Sequence, residues 1–377
     1  MKCIGCGAKL QTTNQDAIGY ISEAHLFDNQ EEVYCKRCFD IIHYNKRYTP
    51  CLGTTQIKQK MKSAFSHHPY DLVCLLVDAL DIYSSLTQEV CDLVGKMKLL
   101  ILINKIDLLP RSIKRGRIEE NILTLSKSLN LNVVSVQSIS GKRQEDVLQV
   151  LKKIDKLRYN QKKKKMNFNN CFIIGYASVG KSTFINTIKD LIGQHSNPIT
   201  TSDQFQTTQD FIKIYLGNKM FLYDTPGIIN DQSYNYYLNF ESTKYLLKKN
   251  PIHVRVFQLN NQQTLFIGGL LQLDILEGEK TTVSLFISDN LYVHRTKLEN
   301  AIELKEKQQF KMLIPPLTKE ELDLMGEPQE VIMNIENDAF YDLAISGLGF
   351  LHLKGQNLKI RLTIPEKIDY KLVKSIL

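Results

Sequence analysis

Residues Gly175–Ser182 read GYASVGKS, a glycine and four variable residues followed by Gly-Lys-Ser. That spacing suits the binding of a phosphate chain. Glycine at each end lets backbone N–H groups turn inward around anionic oxygens, and the helix that opens at Lys181 adds positive potential at its N-terminus. Gly175, Ser178, Val179 and Gly180 line the loop, with Thr183 just behind it. Lys181 is placed to reach β- and γ-phosphates, and Ser182 to give its hydroxyl to Mg²⁺. Further on, FLYDTPG sets Asp224 at the end of an apolar run, where a carboxylate shares the Mg²⁺ shell, and leaves the Gly227 N–H to sense a γ-phosphate. TTSDQFQTTQD (200–210) lies between them. Thr207 and Thr208 are both candidates for a switch threonine on Mg²⁺, and the sequence does not choose between them.

A second set of residues reads a base. Asn104–Asp107 spell NKID after the apolar run KLLILI. The Asp107 carboxylate can accept both the N1–H and the 2-amino hydrogens of guanine, a donor pair that adenine lacks. Lys105 would lie across the ring, and Asn104 would brace the loops. VSVQSISGK (134–142) follows the next apolar run. It fits a second guanine loop, in which backbone N–H groups at about Ser138 and Ile139 meet the base oxygen, although Gln137 stands where a serine is expected. The ligands implied are GTP or GDP with Mg²⁺.

The third set is Cys3, Cys6, Cys35 and Cys38: two C-x₂-C pairs separated by 28 residues. Two such knuckles can close a tetrahedral Zn²⁺ site of four thiolates. A closed site of that kind is structural rather than catalytic. Cations and aromatics around the second pair (Lys36, Arg37, His43, Tyr44, Lys46, Arg47) suit RNA contact or a merely solvated basic face. Cys74 and Cys171 fall inside apolar runs and read as small core residues.

The elements that must hold these groups follow from the apolar patterning. Between residues 66 and 160, short continuous apolar runs such as DLVCLLVDA and KLLILINK alternate with amphipathic stretches such as RIEENILTLSKSL and EDVLQVLKKIDKL. That rhythm predicts a parallel sheet covered on both faces. QKKKK (161–165) reads as a solvated linker. From 166 to 250 the α/β pattern resumes, with a polar helix expected to run to about Lys249. After Pro251 the chain is rich in Leu, Ile, Val, Thr and Phe, which argues for a β-rich segment. LFIGGLLQLDI (265–275) resembles LAISGLGFLHL (343–353), suggesting a duplicated β-unit. The expected fold is an α/β P-loop domain with a doubly wound, mostly parallel sheet at 51–250. A zinc-binding module precedes it at 1–50, and a β-rich domain follows at 251–377.

The order of motifs is unusual: base loops first, then phosphate loop, switch threonines and DTPG. A circular permutation of a P-loop fold gives this order without losing a strand, because its termini lie at the surface. The chain leaving DTPG then runs within about 20 residues into the C-terminal segment, making that segment the direct output of switch movement.

At 377 residues the chain is long enough for two or three domains. A net charge of +8 is a mild lean toward polyanions. No apolar run approaches the roughly 18 residues that cross a bilayer, and the N-terminus lacks signal-peptide character, so a cytoplasmic protein without a membrane partner is expected.

The ensemble resembles the YqeH family of circularly permuted GTPases. The resemblance is carried by the Cys pairs, CFDIIHYN (38–45), VDALDIYSS (77–85), NKID, GYASVGKST, DTPG and the GGL and SGLG turns. It implies a GTPase that assists assembly of the small ribosomal subunit, with ribosomal RNA as partner of the flanking domains. Three departures stand out. Ser178 replaces an Asn that in relatives helps hold an activating K⁺, Phe205-Gln206 replaces Pro-Gly, and Ile228 stands where Ras-like enzymes place the water-orienting Gln. Two readings follow: a slow, partner-stimulated GTPase, or a nucleotide-gated RNA-binding scaffold with little turnover.

Overall fold

The computed structural model describes residues 10–13, 20–22, 36, 54–67, 69–163, 168–193, 211–248, 250–335, 339–375 and 377. The four candidate zinc cysteines and the switch candidates Thr207 and Thr208 lie outside the described residues.

The α/β part is built on β1 (Leu72–Asp78), β2 (Lys98–Asn104), β3 (Val133–Ser138), β4 (Asn170–Ile174), β5 (Ile212–Gly217) and β6 (Met220–Asp224). They form one sheet in the order β3-β2-β1-β4-β6-β5, parallel except where β5 runs against β6. The central strands β1 and β2 are apolar almost throughout, and Val73–Val77 and Leu99–Ile103 are fully buried, as strands covered on both faces require. Crossovers run through the helices Gln88–Val94, Arg115–Ser128 and Gln144–Lys163.

β1 lies between the base strand β2 and the phosphate strand β4, although the chain reaches it first. Asp78 at its carboxyl end is level with Asn104, while Leu75 is level with Ile174. In an open parallel sheet the ligand crevice opens at this end of the strands. The sheet order therefore places a carboxylate, Asp78, between the two loops.

Two local expectations change. The helix Gln144–Lys163 continues into the QKKKK run, since Gln and Lys propagate a helix at little cost. The polar helix expected up to Lys249 is instead two short pieces, Tyr234–Tyr237 and Phe240–Leu246. Ser233 and Asn239 each cap a new start, with their side chains accepting from Asn235 N–H and Ser242 N–H.

Among the described residues ten further strands follow: β7 (Arg255–Leu259), β8 (Gln263–Ile267), β9 (Leu271–Glu277), β10 (Thr281–Ile287), β11 (Val293–Lys297), β12 (Pro328–Ile335), β13 (Ala339–Ile345), β14 (Gly349–Gly355), β15 (Leu358–Pro365) and β16 (Tyr370–Lys374). They make two antiparallel five-stranded sheets, β16-β13-β14-β10-β7 and β11-β8-β9-β15-β12. Moving every strand of the second sheet five places along the series (11 to 16, 8 to 13, 9 to 14, 15 to 10, 12 to 7) reproduces the first. The segment is thus a tandem duplication in which each half lends two strands to the other's sheet. The two similar sequences are its corresponding hairpins. Ile267 pairs with Leu271 across GGL, and Ile345 with Gly349 across SGL.

Phe286 and Phe350, stacked with centroids 4.6 Å apart, belong with Ala344 to the same apolar cluster as the parallel sheet. Phe350→Ala should cost about 3–5 kcal/mol, the usual penalty for emptying a buried aromatic site. A denaturant titration followed by fluorescence or circular dichroism checks it.

Candidate functional site

The phosphate loop leaves β4 at Ile174. Ser178 and Gly180 adopt φ of 67° and 92°, the left-handed turns that aim successive N–H groups into the loop. Gly180 has no room for a side chain, because a Cβ there would collide with Asn104 Nδ2. The helix Lys181–Leu191 starts at once, with Ser182 and Thr183 exposed on its first turn.

Asn104 joins the two loops. It is 2% exposed, donates from Nδ2 to Val179 O at 2.8 Å and accepts the Gly141 N–H on Oδ1 at 2.7 Å. One amide thus fixes the phosphate loop, NKID and the VSVQSISGK loop together. Lys105 is held with φ of 63°, and its ammonium bonds Ser178 O and Asp78 Oδ2, both at 2.6 Å. Asp107 is half-buried in the short turn Ile106–Leu108.

In the second base loop, the Ser138 N–H donates to Glu119 Oε1 at 2.7 Å and the Ile139 N–H to Ile103 O at 2.8 Å. The two amides expected to meet a base oxygen are therefore engaged within the protein, Ser138 by a carboxylate that a guanine oxygen would have to displace. Glu119 sits on a neighbouring helix with no motif of its own, so the sequence does not announce it.

Asp224 closes β6, level with Ile173 of β4. Lys181 donates to Asp224 Oδ1 at 2.7 Å and also to Thr225 O. Beyond DTPG the chain pairs with the phosphate loop. The Ile228 N–H donates to Gly175 O at 3.0 Å, and the Ala177 N–H to Ile228 O at 2.7 Å. Gly227 packs against Ala177. Ser182 and Asp224 offer hard oxygen donors beside a lysine, at a helix N-terminus and the adjacent strand end. That donor set fits Mg²⁺ held jointly with a phosphate chain. The metal would neutralise phosphate charge there, and Lys181 would exchange its carboxylate partner for phosphate oxygens.

Two carboxylates beside these loops, both in VDALDIYSS, belong to no nucleotide-binding motif. Asp78 accepts the Leu80 N–H on Oδ1 at 2.9 Å while Oδ2 holds Lys105. Burial opposes its ionisation, but the cations Lys105 and Lys248 outweigh that, and its carboxyl is held below the usual range. Asp81 accepts the Gly347 N–H of the SGL turn at 2.9 Å, and its Oδ1 is buried without a partner. Burial pushes its carboxyl up to about 6.

The segment after DTPG reaches both corresponding hairpin turns. Tyr234, fully buried, donates its N–H to Ser346 O at 3.2 Å and its hydroxyl to Leu270 O at 2.6 Å. Asn230 Nδ2 donates to Ser346 Oγ at 2.9 Å.

Comparison with known proteins agrees with this geometry. Residues 280–376 match the family model described as YqeH-like, C-terminal, and residues 170–310 match that of a 50S ribosome-binding GTPase. The second match begins at the phosphate strand and leaves NKID outside, as a permuted chain should. YqeH of Bacillus subtilis is 34% identical over 375 residues, covering 100% of this chain and 99% of that protein. The NO-associated protein 1, chloroplastic/mitochondrial, of Arabidopsis thaliana is 28% identical, covering 93% of this chain and 69% of its own length. Ribosome biogenesis GTPase A of Priestia megaterium is 25% identical over 46% of this chain and 56% of its own.

Proposed function

Because the chain belongs to the YqeH family of circularly permuted GTPases, we propose that it hydrolyses GTP to time its own release from a precursor of the small ribosomal subunit. The observation carrying this reading is the seating of the post-DTPG segment, through Asn230 and Tyr234, on both corresponding hairpin turns. A switch that senses the γ-phosphate through Gly227 would shift Tyr234 and with it two β-units. In this reading Asp107 and Lys105 take the guanine, Asn104 braces the loops around it, and Ser138 and Ile139 lie at its oxygen. The loop Gly175–Thr183 takes the phosphates, and Ser182, Asp224 and one of Thr207 and Thr208 hold Mg²⁺. Residues 1–50, 51–250 and 251–377 are the working divisions, with ribosomal RNA as partner of the outer two and the cytoplasm as compartment. Among the described residues, no helix is long and apolar enough to cross a membrane.

Multiple-turnover GTP hydrolysis tests the proposal. Purified small subunits should raise the rate at least about tenfold, since Ile228, buried and bonded through its backbone, brings no water-orienting amide. An unchanged rate would favour the scaffold reading. Stimulation by large subunits alone would favour the target named in the description of the GTPase family model. Ser178 in place of the K⁺-holding Asn leads to a further expectation, equal rates in K⁺ and Na⁺.

The zinc proposal rests on the spacing of Cys3, Cys6, Cys35 and Cys38 alone. Elemental analysis of the purified chain should find one zinc per molecule, and Cys35→Ser should lose most of it. Metal-free protein with unaltered protease resistance of residues 1–50 would rule the site out.

A further inference from the structure

The Asp78–Asp81 turn joins two places that the switch segment does not. At one end Asp78 Oδ2 fixes the Lys105 ammonium, and at the other Asp81 Oδ2 accepts the Gly347 N–H. The link between them is short and stiff. Asp78 O accepts the Asp81 N–H at 3.0 Å, Asp78 Oδ1 accepts the Leu80 N–H, and Asp81 O accepts Ser85 Oγ–H at 3.0 Å. The Ala79 N–H is bonded to Asn104 O at 2.9 Å, so the turn also grips the backbone of NKID. Asp78, Asp81, Lys105, Ser178, Lys248 and Gly347 all line one cavity of about 240 Å³ between the phosphate loop and the SGL turn.

The corresponding turn of the other β-unit clarifies the role of this contact. There Gly269, the counterpart of Gly347, gives its N–H to Pro315 O at 2.8 Å, within the β-rich segment itself. In one copy the turn amide is satisfied locally. In the other it is satisfied by a carboxylate of the turn that follows β1, 266 positions earlier in the chain.

We propose that Asp81 and Gly347 are positioning residues for guanine nucleotide: the docked SGL turn steadies Asp78 and hence Lys105, and a partner that lifts the turn speeds release of GDP and GTP alike. The C-terminal segment is then an intramolecular control on nucleotide release acting from the base side, through a contact distinct from the switch segment's hold on the same turn. The inference rests on the reading of Lys105 as the cover of the guanine ring. Lysine over the ring contributes to any purine bound there, whereas Asp107 discriminates the 2-amino group. Loosening the turn should therefore weaken GTP and ITP by one common factor.

Dissociation of fluorescent GDP, GTP-analogue and inosine nucleotides from the full chain tests the proposal. Asp81→Ala should release all three about tenfold faster, the effect of losing one charge-assisted hydrogen bond. Asp81→Asn keeps an acceptor oxygen for Gly347 and should return to near the wild-type rate. Gly347→Ala approaches from the far side: φ is 82°, and a Cβ there would collide with Ser233 Oγ. It should also speed release while melting as a folded protein. If it does not fold, Asp81→Ala still decides. Lys105→Ala separates the two layers of the argument. Unchanged release in that variant sinks the base-loop reading. Fast release in Lys105→Ala with wild-type rates in Asp81→Ala overturns the link itself. So do an Asp81→Asn as fast as Asp81→Ala, an effect on the GTP analogue alone, or an altered ratio of guanine to inosine rates.

Discussion

Asp107→Asn is expected to lower GTP affinity by about a hundredfold or more and to raise affinity for xanthosine triphosphate. The carboxylate faces two donors on guanine, and an amide presents one acceptor and one donor in their place. A buried donor left against a donor costs on the order of 1–3 kcal/mol, beyond the lost charge-assisted bonds. Xanthine carries a carbonyl where guanine has its amino group, so the amide then fits. Competition between the two triphosphates for a fluorescent nucleotide measures the reversal. GTP affinity unchanged in the variant would remove Asp107 from the base site.

Asn104→Ala is the second large effect. Asn104 touches no part of the nucleotide in this reading, yet it is buried and serves both loops, through Val179 O and the Gly141 N–H. Alanine leaves those two backbone groups unpaired in a buried site whose neighbours Gly180 and Gly141 have no side chain to take the amide's place. At about 1–3 kcal/mol for each orphan, affinity for GDP and GTP should fall together by about a hundredfold. Calorimetric titration with either nucleotide checks the size. A parallel denaturant titration separates lost binding from lost stability.

These effects show which parts of the site its sequence discloses. GYASVGKS, NKID and DTPG are legible because a backbone curled around phosphate demands glycine, and a guanine edge demands a carboxylate, at fixed offsets. Their placement after apolar strands completes the reading, and Asn104 could be assigned its bracing role before its partners were known. Asp78 and Asp81 are different. They lie in VDALD, which marks the family resemblance but has no residue spacing that dictates a chemistry, and their role shows because β1 falls between β2 and β4 in the sheet. Sheet order is not written in any local pattern. Glu119, which holds the Ser138 N–H, is equally silent, being one acidic residue on an amphipathic helix.

The β-rich segment shows the same limit. Strand–glycine–strand repetition at 265–275 and 343–353 discloses the duplication. It does not disclose that β10 and β15, with β7 and β12, change places between the sheets, because alternation of apolar residues specifies a face and not a neighbour. The break at Leu238–Asn239 escaped for a related reason. Asn239 reads as one more polar residue of a surface helix until its side chain is seen capping Ser242, with Glu321 of a distant helix accepting its own N–H at 2.6 Å.

The permuted order ties these observations to function. It brings the DTPG strand β6 near the end of the α/β part, so that the next residues, Asn230 and Tyr234, meet both hairpin turns. The sheet order keeps β1, which ends at Asp78, between the base and phosphate strands. In the proposed reading, nucleotide state and the β-rich segment are connected through two routes, one sensing the γ-phosphate and one the base.

Co-sedimentation with isolated ribosomal subunits tests the central claim most directly. The account predicts that the full chain pellets with small subunits when loaded with a non-hydrolysable GTP analogue and stays in the supernatant with GDP. Equal sedimentation in the two states, or association with large subunits only, would contradict it.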